Sequence, residues 1–123
     1  MIYIIEDDQN VRDGFRLLLN SVGYDSMEFD NAEAFLTNYK SGINDLVILD
    51  IHLIGIDGLK LLEIMNKQKI HLPVIIVTAY DNQTARIAAK NYGALAYFRK
   101  PVDSKALIDA IRFNIKQNVN ENN

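Results

Sequence analysis

Three acids, Glu6-Asp7-Asp8, follow directly on the apolar run Ile2 to Ile5, and a fourth, Asp50, follows directly on Leu46-Val47-Ile48-Leu49. Thr78-Ala79 closes a third apolar run at residues 74–77, and Arg99-Lys100-Pro101 closes a fourth at residues 96–98. Carboxylates gathered in one place repel, which raises at least one pKa or drives the loops apart unless a cation sits among them. A hard divalent ion answers that repulsion, and oxygen ligands with room for water select Mg²⁺, which usually takes one or two carboxylates and keeps several waters. Asp50 then has the surroundings of a nucleophilic carboxylate. A metal neutralises charge on a transferring phosphoryl group, Lys100 is a second cation and Thr78 offers a hydroxyl. The product of that chemistry would be an aspartyl phosphate.

These groups meet only if the apolar runs are neighbouring strands with a common direction. The chain supports this, because five short apolar runs alternate with segments of helical periodicity, the pattern of a parallel sheet with helices on both faces. After the strand Ile2 to Ile5, residues Val11, Phe15, Leu18, Leu19 and Val22 form one apolar stripe of a helix that Gly23 ends. Residues 24–29 are more polar and are expected at a sheet edge, and Asp30 or Asn31 then caps a helix carrying Phe35, Leu36 and Tyr39. The helix after Gly58 presents Leu59, Leu62 and Met65. Residues 82–92 form a small-residue helix with Ala85, Ala88, Ala89 and Tyr92 inward, and Asp103 or Ser104 caps the last helix, whose stripe is Leu107, Ile108, Ile111 and Ile115. In such sheets functional groups gather beyond the carboxyl ends of the strands, where all four of the chemical positions fall.

A chain of 123 residues, 49% hydrophobic and 24% charged, fits one soluble domain. We expect that domain over residues 1–116, with a disordered tail at 117–123 where apolar surface is scarce. The chain contains no cysteine, which excludes a disulfide framework or thiolate metal site and fits the reducing cytoplasm, the compartment we expect. The N-terminus lacks the basic segment of a signal peptide, and no apolar run approaches the roughly 20 residues of a membrane span. A formal net charge of −3 gives no electrostatic reason for direct nucleic-acid binding by this domain.

Each residue taken singly has a plainer reading. Glu6-Asp7-Asp8 is also a helix-entry pattern, Asp50 a turn residue, Thr78 a strand-end hydroxyl, Lys100 a solvated charge, and Asp57-Gly58 a turn followed by a helix start. What favours a site is the conjunction of all of them at strand ends in a consistent order.

With Ile4-Ile5-Glu6-Asp7-Asp8, Val47-Ile48-Leu49-Asp50-Ile51-His52-Leu53, Asp57-Gly58, Leu72-Pro73-Val74-Ile75-Ile76-Val77-Thr78-Ala79 and Gly93-Ala94 leading to Tyr97-Phe98-Arg99-Lys100-Pro101, the chain resembles the response-regulator receiver family from Ile2 to about Ile115. The resemblance implies a doubly wound α/β fold of flavodoxin-like type, with five parallel strands in the order 2-1-3-4-5. It implies a phospho-acceptor of two-component or phosphorelay signalling, charged by a histidine kinase or phosphotransfer protein. By it Asp50 is the acceptor, Asp7 and Asp50 are direct Mg²⁺ ligands, the main-chain carbonyl of His52 is a further ligand, and Glu6 acts through a water. Thr78 would bind a phosphoryl oxygen, Lys100 would pair with Asp50 or the phosphate, the Lys100-Pro101 bond would be cis, and Tyr80 and His52 would flank the line of attack. Two residues depart from the pattern. Glu6 stands where Asp is frequent, lengthening one arm of the acidic pair, and Ile54 stands where many members have Pro, loosening the loop after Asp50.

Other classes remain to be weighed against this. A phosphatase of the haloacid-dehalogenase type uses similar groups, but needs a second Asp two residues after the nucleophile, where this chain has His52. A flavin module lacks its phosphate-binding loop here, and a degenerate receiver would not keep Asp7, Asp50, Thr78 and Lys100 together. The chain is expected to be a signalling phospho-acceptor with self-catalysed phosphorylation and dephosphorylation, and not an enzyme with a separate substrate. Its readout is expected on the fourth helix, fifth strand and fifth helix, with Thr78 and Tyr97 as switch residues. The partners expected there are an effector, an output domain or, after phosphorylation, a second copy of the chain.

Overall fold

A computed structural model describes residues 1–40 and 42–121, with side chains as far as Ile115. The strands are β1 (Ile2–Ile5), β2 (Ser26–Phe29), β3 (Leu46–Leu49), β4 (Val74–Thr78) and β5 (Ala96–Arg99). The helices are α1 (Gln9–Ser21), α2 (Ala32–Asn38), α3 (Gly58–Lys67), α4 (Gln83–Asn91) and α5 (Ser104–Glu121). All strands are parallel and ordered β2-β1-β3-β4-β5, the doubly wound arrangement expected from the strand–helix alternation. α5 continues beyond the proposed boundary at residue 116, and Asn122 and Asn123 of the expected tail lie outside the described residues.

The period of two along each strand explains why helices are needed on both faces. Tyr3, Ile5, Val47, Leu49, Val74 and Ile76 join a cluster with Ala32 and Phe35 of α2, Leu61, Leu62 and Met65 of α3, and Ala85 and Ala89 of α4. The alternate residues Ile2, Ile4, Leu46, Ile48, Ile75 and Val77 join Phe15 and Leu19 of α1 and Leu107, Ile108 and Ile111 of α5. A strand covered on both sides must be apolar throughout, which is why β1, β3 and β4 carry no alternation. β2, at the edge, is only half-buried and carries Glu28.

Local signals set the helix ends. Asp8, Asn31, Asp57 and Asn82 each cap a helix by accepting from its first-turn amides, and Asp103 Oδ1 accepts from Lys105 and Ala106 to open α5. Gly23 follows α1 at φ 90°, the left-handed turn that stops the helix. α2 ends one residue before Tyr39, whose backbone is extended while its ring stacks on Phe35 at 5.4 Å between centroids.

Gly58 has a more demanding role than a helix start. Its amide donates to the Ile51 carbonyl at 2.8 Å, and a Cβ there would overlap the Asp50 carbonyl oxygen and come within 2.8 Å of Ile51 Cα. α3 can therefore approach the loop after β3 only without a side chain. Gly58→Ala should destabilise the fold by roughly 1–3 kcal/mol, the usual penalty of overpacking, seen as a lower urea midpoint; an unchanged midpoint would show that this approach is not tight.

Candidate functional site

The sheet order places the site. β1 lies between β2 and β3, so the connections leaving β1 and β3 go to opposite sides and open a crevice at their carboxyl ends. The ladder continues one residue past both strands, since Asp50 N donates to Ile5 O and Glu6 N to Phe29 O, each at 3.0 Å. Glu6 and Asp50 are thus fixed by backbone pairing before their side chains interact. The acidic run then divides by role. Asp8 caps α1, as the plain helix-entry reading has it, whereas Glu6, Asp7 and Asp50 each offer an oxygen within 4.8 Å of the others.

Lys100 closes this group from the far side. Its Nζ lies 2.8 Å from Glu6 Oε1 and 3.1 Å from Asp50 Oδ2, while the other Asp50 oxygen accepts the His52 amide at 3.2 Å. The lysine is aimed by its own backbone, whose amide donates to the Thr78 carbonyl at 2.8 Å, and the Lys100-Pro101 bond is cis as the resemblance implied. Thr78 is buried at the end of β4, and its Oγ1 accepts the Tyr80 amide at 3.2 Å. Tyr80 and His52 sit together at the surface with ring centroids 3.9 Å apart. Tyr97 is half-buried on β5, its hydroxyl 3.4 Å from the Tyr80 carbonyl.

The electrostatics follow from burying several acids around one amine. Burial raises the Glu6 pKa, as do the hydrogen bond and charge of Asp50, and Lys100 only partly opposes them, so the group is pushed up to about 8. For Lys100 burial works against the charged form but is outweighed by the hydrogen bond it donates to Glu6 and the charge of Asp50, leaving its pKa raised. Among the described residues Glu6 Oε2 is buried without a hydrogen-bond partner. An all-oxygen donor set with an orphaned carboxylate oxygen fits a hard divalent cation, and Mg²⁺ meets that description.

Two contributors had no role assigned to them from the sequence. Arg12 Nη1 donates to the Glu6 carbonyl at 2.7 Å while its Nε lies 3.8 Å from Glu28, bracing the peptide that carries the acids. In the sequence Val11-Arg12 follows the three acids as part of the family resemblance, which assigned the arginine no role. The second is Arg86, which pairs with Asp81 and lies 4.7 Å over the Tyr97 ring. Nothing in the linear spacing of these three residues announces that contact.

The comparisons agree with this geometry. The chain belongs to the response regulator receiver domain family, whose sequence model matches residues 2–112. It is 33% identical over 116 residues to the transcriptional regulatory protein FixJ of Bradyrhizobium diazoefficiens, an alignment covering 94% of this chain and 57% of that protein. To the DNA-binding transcriptional regulator NtrC of Escherichia coli it is 32% identical over 103 residues, covering 84% of this chain and 22% of the relative. The solved CheY-like receiver domain protein of Methanospirillum hungatei superposes with a TM-score of 0.84 at 28% identity, covering 98% of this chain and 96% of that one. The chain is therefore a signalling domain of the two-component type, and it spans about half the length of FixJ. Receiver domains of this family typically bind Mg²⁺, in keeping with the acidic cluster. Among the described residues no helix is long and apolar enough to cross a membrane.

The Glu6 shift has a signed consequence for the metal-free chain. Folded Glu6 holds its proton more tightly than unfolded Glu6, so its contribution to stability is complete below about pH 4.5 and is lost as the pH rises through about 8. Lys100, raised above 10.5, stays charged in both states across that window and adds no slope. In EDTA the wild type should lose stability over this range relative to Glu6→Gln, measured by urea unfolding at a series of pH values. Parallel profiles for the two proteins would contradict the shift.

Proposed function

We propose that this chain takes a phosphoryl group onto Asp50 from the phosphohistidine of a histidine kinase or phosphotransfer protein, in an Mg²⁺-dependent step, and later releases it by hydrolysis. The observation that carries this reading is the setting of Asp50. It is buried at the end of a central strand, with one oxygen on a backbone amide, the other on the Lys100 ammonium, and two further acids within 4.8 Å.

In the forward step an Asp50 carboxylate oxygen forms the new O–P bond while the N–P bond of the phosphohistidine breaks and the imidazole leaves. Lys100 is already paired with Asp50 and so is placed to stay with the charge as it spreads onto the phosphoryl oxygens. Thr78 Oγ1 accepts from Tyr80, which leaves its own proton to be directed at a phosphoryl oxygen. Asp7, Asp50 and the His52 carbonyl would hold Mg²⁺ directly and Glu6 through a water. When bound, the ion supplies charge neutralisation for the acids and the phosphoryl oxygens. In the release step water attacks phosphorus, the bond to Asp50 breaks, the carboxylate is regenerated and inorganic phosphate departs, so no separate substrate is turned over. Against a haloacid-dehalogenase reading, the residue that would act as acid two positions on is His52, whose side chain is exposed beside Tyr80.

The wider role follows by analogy with the longer relatives. The receiver unit is residues 1–116, working in the cytoplasm and passing its state to an output domain, an effector or a second phosphorylated copy. It makes no nucleic-acid contact of its own. Acetyl phosphate should add one phosphoryl group in intact-mass spectra only when Mg²⁺ is present, and Asp50→Asn should abolish the addition; equal labelling of that variant would place the acceptor elsewhere. By the family resemblance the exposed His52–Tyr80 pair flanks the line of attack on Asp50, so Tyr80→Ala should shorten the phosphate lifetime several-fold. A decay rate matching the wild type would remove the pair from control of water access.

A further inference from the structure

Beyond the acceptor site, one run of contacts ties the surface to the interior. Asp81 lies in the loop after β4 and pairs with Arg86 in the second turn of α4, with Arg86 Nη2 2.9 Å from Asp81 Oδ2 and Nε on the other oxygen. This two-point contact fixes the plane of the guanidinium, which lies 4.7 Å from the centroid of the Tyr97 ring on β5. The Tyr97 hydroxyl reaches the Tyr80 carbonyl at 3.4 Å, and the Tyr80 amide in turn donates to Thr78 Oγ1 at 3.2 Å. The Thr78 carbonyl receives the Lys100 amide. Both groups assigned to the phosphoryl oxygens are thus linked to a surface ion pair through two aromatic residues.

We propose that Arg86 is a positioning residue for the phosphoryl site: anchored by Asp81, it holds Tyr97 turned toward the β4–α4 loop, and Tyr97 through Tyr80 fixes the direction of the Thr78 hydroxyl. The inference rests on the reading that Thr78 binds a phosphoryl oxygen. Its consequence is that affinity for the phosphoryl group, and with it the population of the turned-in Tyr97, is set by a pair outside the site. A ligand moves such an equilibrium only by its differential affinity for the two states, so loosening one state weakens the ligand in proportion. Asp81 holds its proton less tightly than an ordinary carboxyl and Arg86 more tightly, both chiefly through their mutual hydrogen bonds, so the pair is charged at neutral pH. Tyr97 is raised by burial, then by the charge of Asp81, and keeps its hydroxyl proton as a donor. The arginine is half-exposed, so salt weakens the pair and the effect on affinity is modest.

The test uses the whole chain and two probes, Mg²⁺ alone and beryllofluoride in saturating Mg²⁺. None of the hydrogen bonds and ring contacts from Arg86 to Thr78 uses a metal-ligating oxygen assigned above, although the His52 ring packs on Tyr80, whereas beryllofluoride needs Thr78. Arg86→Gln and Asp81→Asn should each weaken beryllofluoride binding by about three- to tenfold while leaving the Mg²⁺ dissociation constant unchanged, and should shift the ring signals of Tyr97 in the apo spectrum. Arg86→Lys, which keeps the charge over the ring but loses the two-point contact, should fall between. Tyr97→Phe should match Arg86→Gln, and Arg86→Gln added to Tyr97→Phe should cost nothing more. Unchanged beryllofluoride affinity, or equal loss for both probes, would overturn the positioning role. A wild type that binds Mg²⁺ but not beryllofluoride would overturn the phospho-acceptor reading and this inference together, whereas a wild type that binds both, with variants that behave like it, would sink this inference alone.

Discussion

Lys100 Nζ stands between Glu6 and Asp50, 2.8 and 3.1 Å from their oxygens, although it comes from the end of β5 and they come from β1 and β3. Neighbouring strands lie about 4.8 Å apart, so β5 and β3, with β4 between them, are about 10 Å apart at the sheet. The lysine therefore has to be directed inward across the end of β4, and its backbone bond to Thr78 begins that path. Without this amine Glu6 and Asp50, both buried, would face each other and Asp7 across the end of the sheet. A buried charge that loses its partner costs several kcal/mol.

The remainder of the fold can be understood as what makes this arrangement rigid. Two apolar layers, one under α2, α3 and α4 and one under α1 and α5, leave the central strands no freedom to slide, because a one-residue slip would send every core side chain to the opposite layer. Glu6 and Asp50 inherit that register through the ladder bonds just beyond their strands. Arg12 and Gly58 work on the same two loops, one by bracing a carbonyl and the other by leaving room. Among the described residues this rigidity leaves one Glu6 oxygen buried without a partner.

The side of the sheet carrying α4 and β5 is held differently. Ala85 and Ala89 are the buried side chains of α4, which bring little apolar area, and β5 is half-buried along most of its length. Its fixed points are polar: the capping Asn82, the Asp81–Arg86 pair and the Tyr97 hydroxyl. Such contacts are weaker than a packed core and respond to charge and salt. That would suit the readout proposed for this surface, which asks it to change when Asp50 is phosphorylated.

How much of this the amino-acid sequence determined follows from the range of each interaction. Strand and helix identity, the caps at Asn31 and Asp103, and the stripe of α1 are local, so their periodicity and residue types could be read directly. The site residues were legible because a parallel sheet sends all strand ends to one edge, making Glu6, Asp7, Asp50, Thr78 and Lys100 neighbours once the strand pattern is recognised. Asp8 capping α1 is likewise local, but tertiary structure alone decided that Glu6 takes up Lys100, a choice made by side-chain direction and not by composition. It also decided that Arg86 meets Tyr97 and that Gly58 meets the Asp50 carbonyl. Those contacts join residues on separate elements at distances set by helix packing, and packing has no signature along the chain.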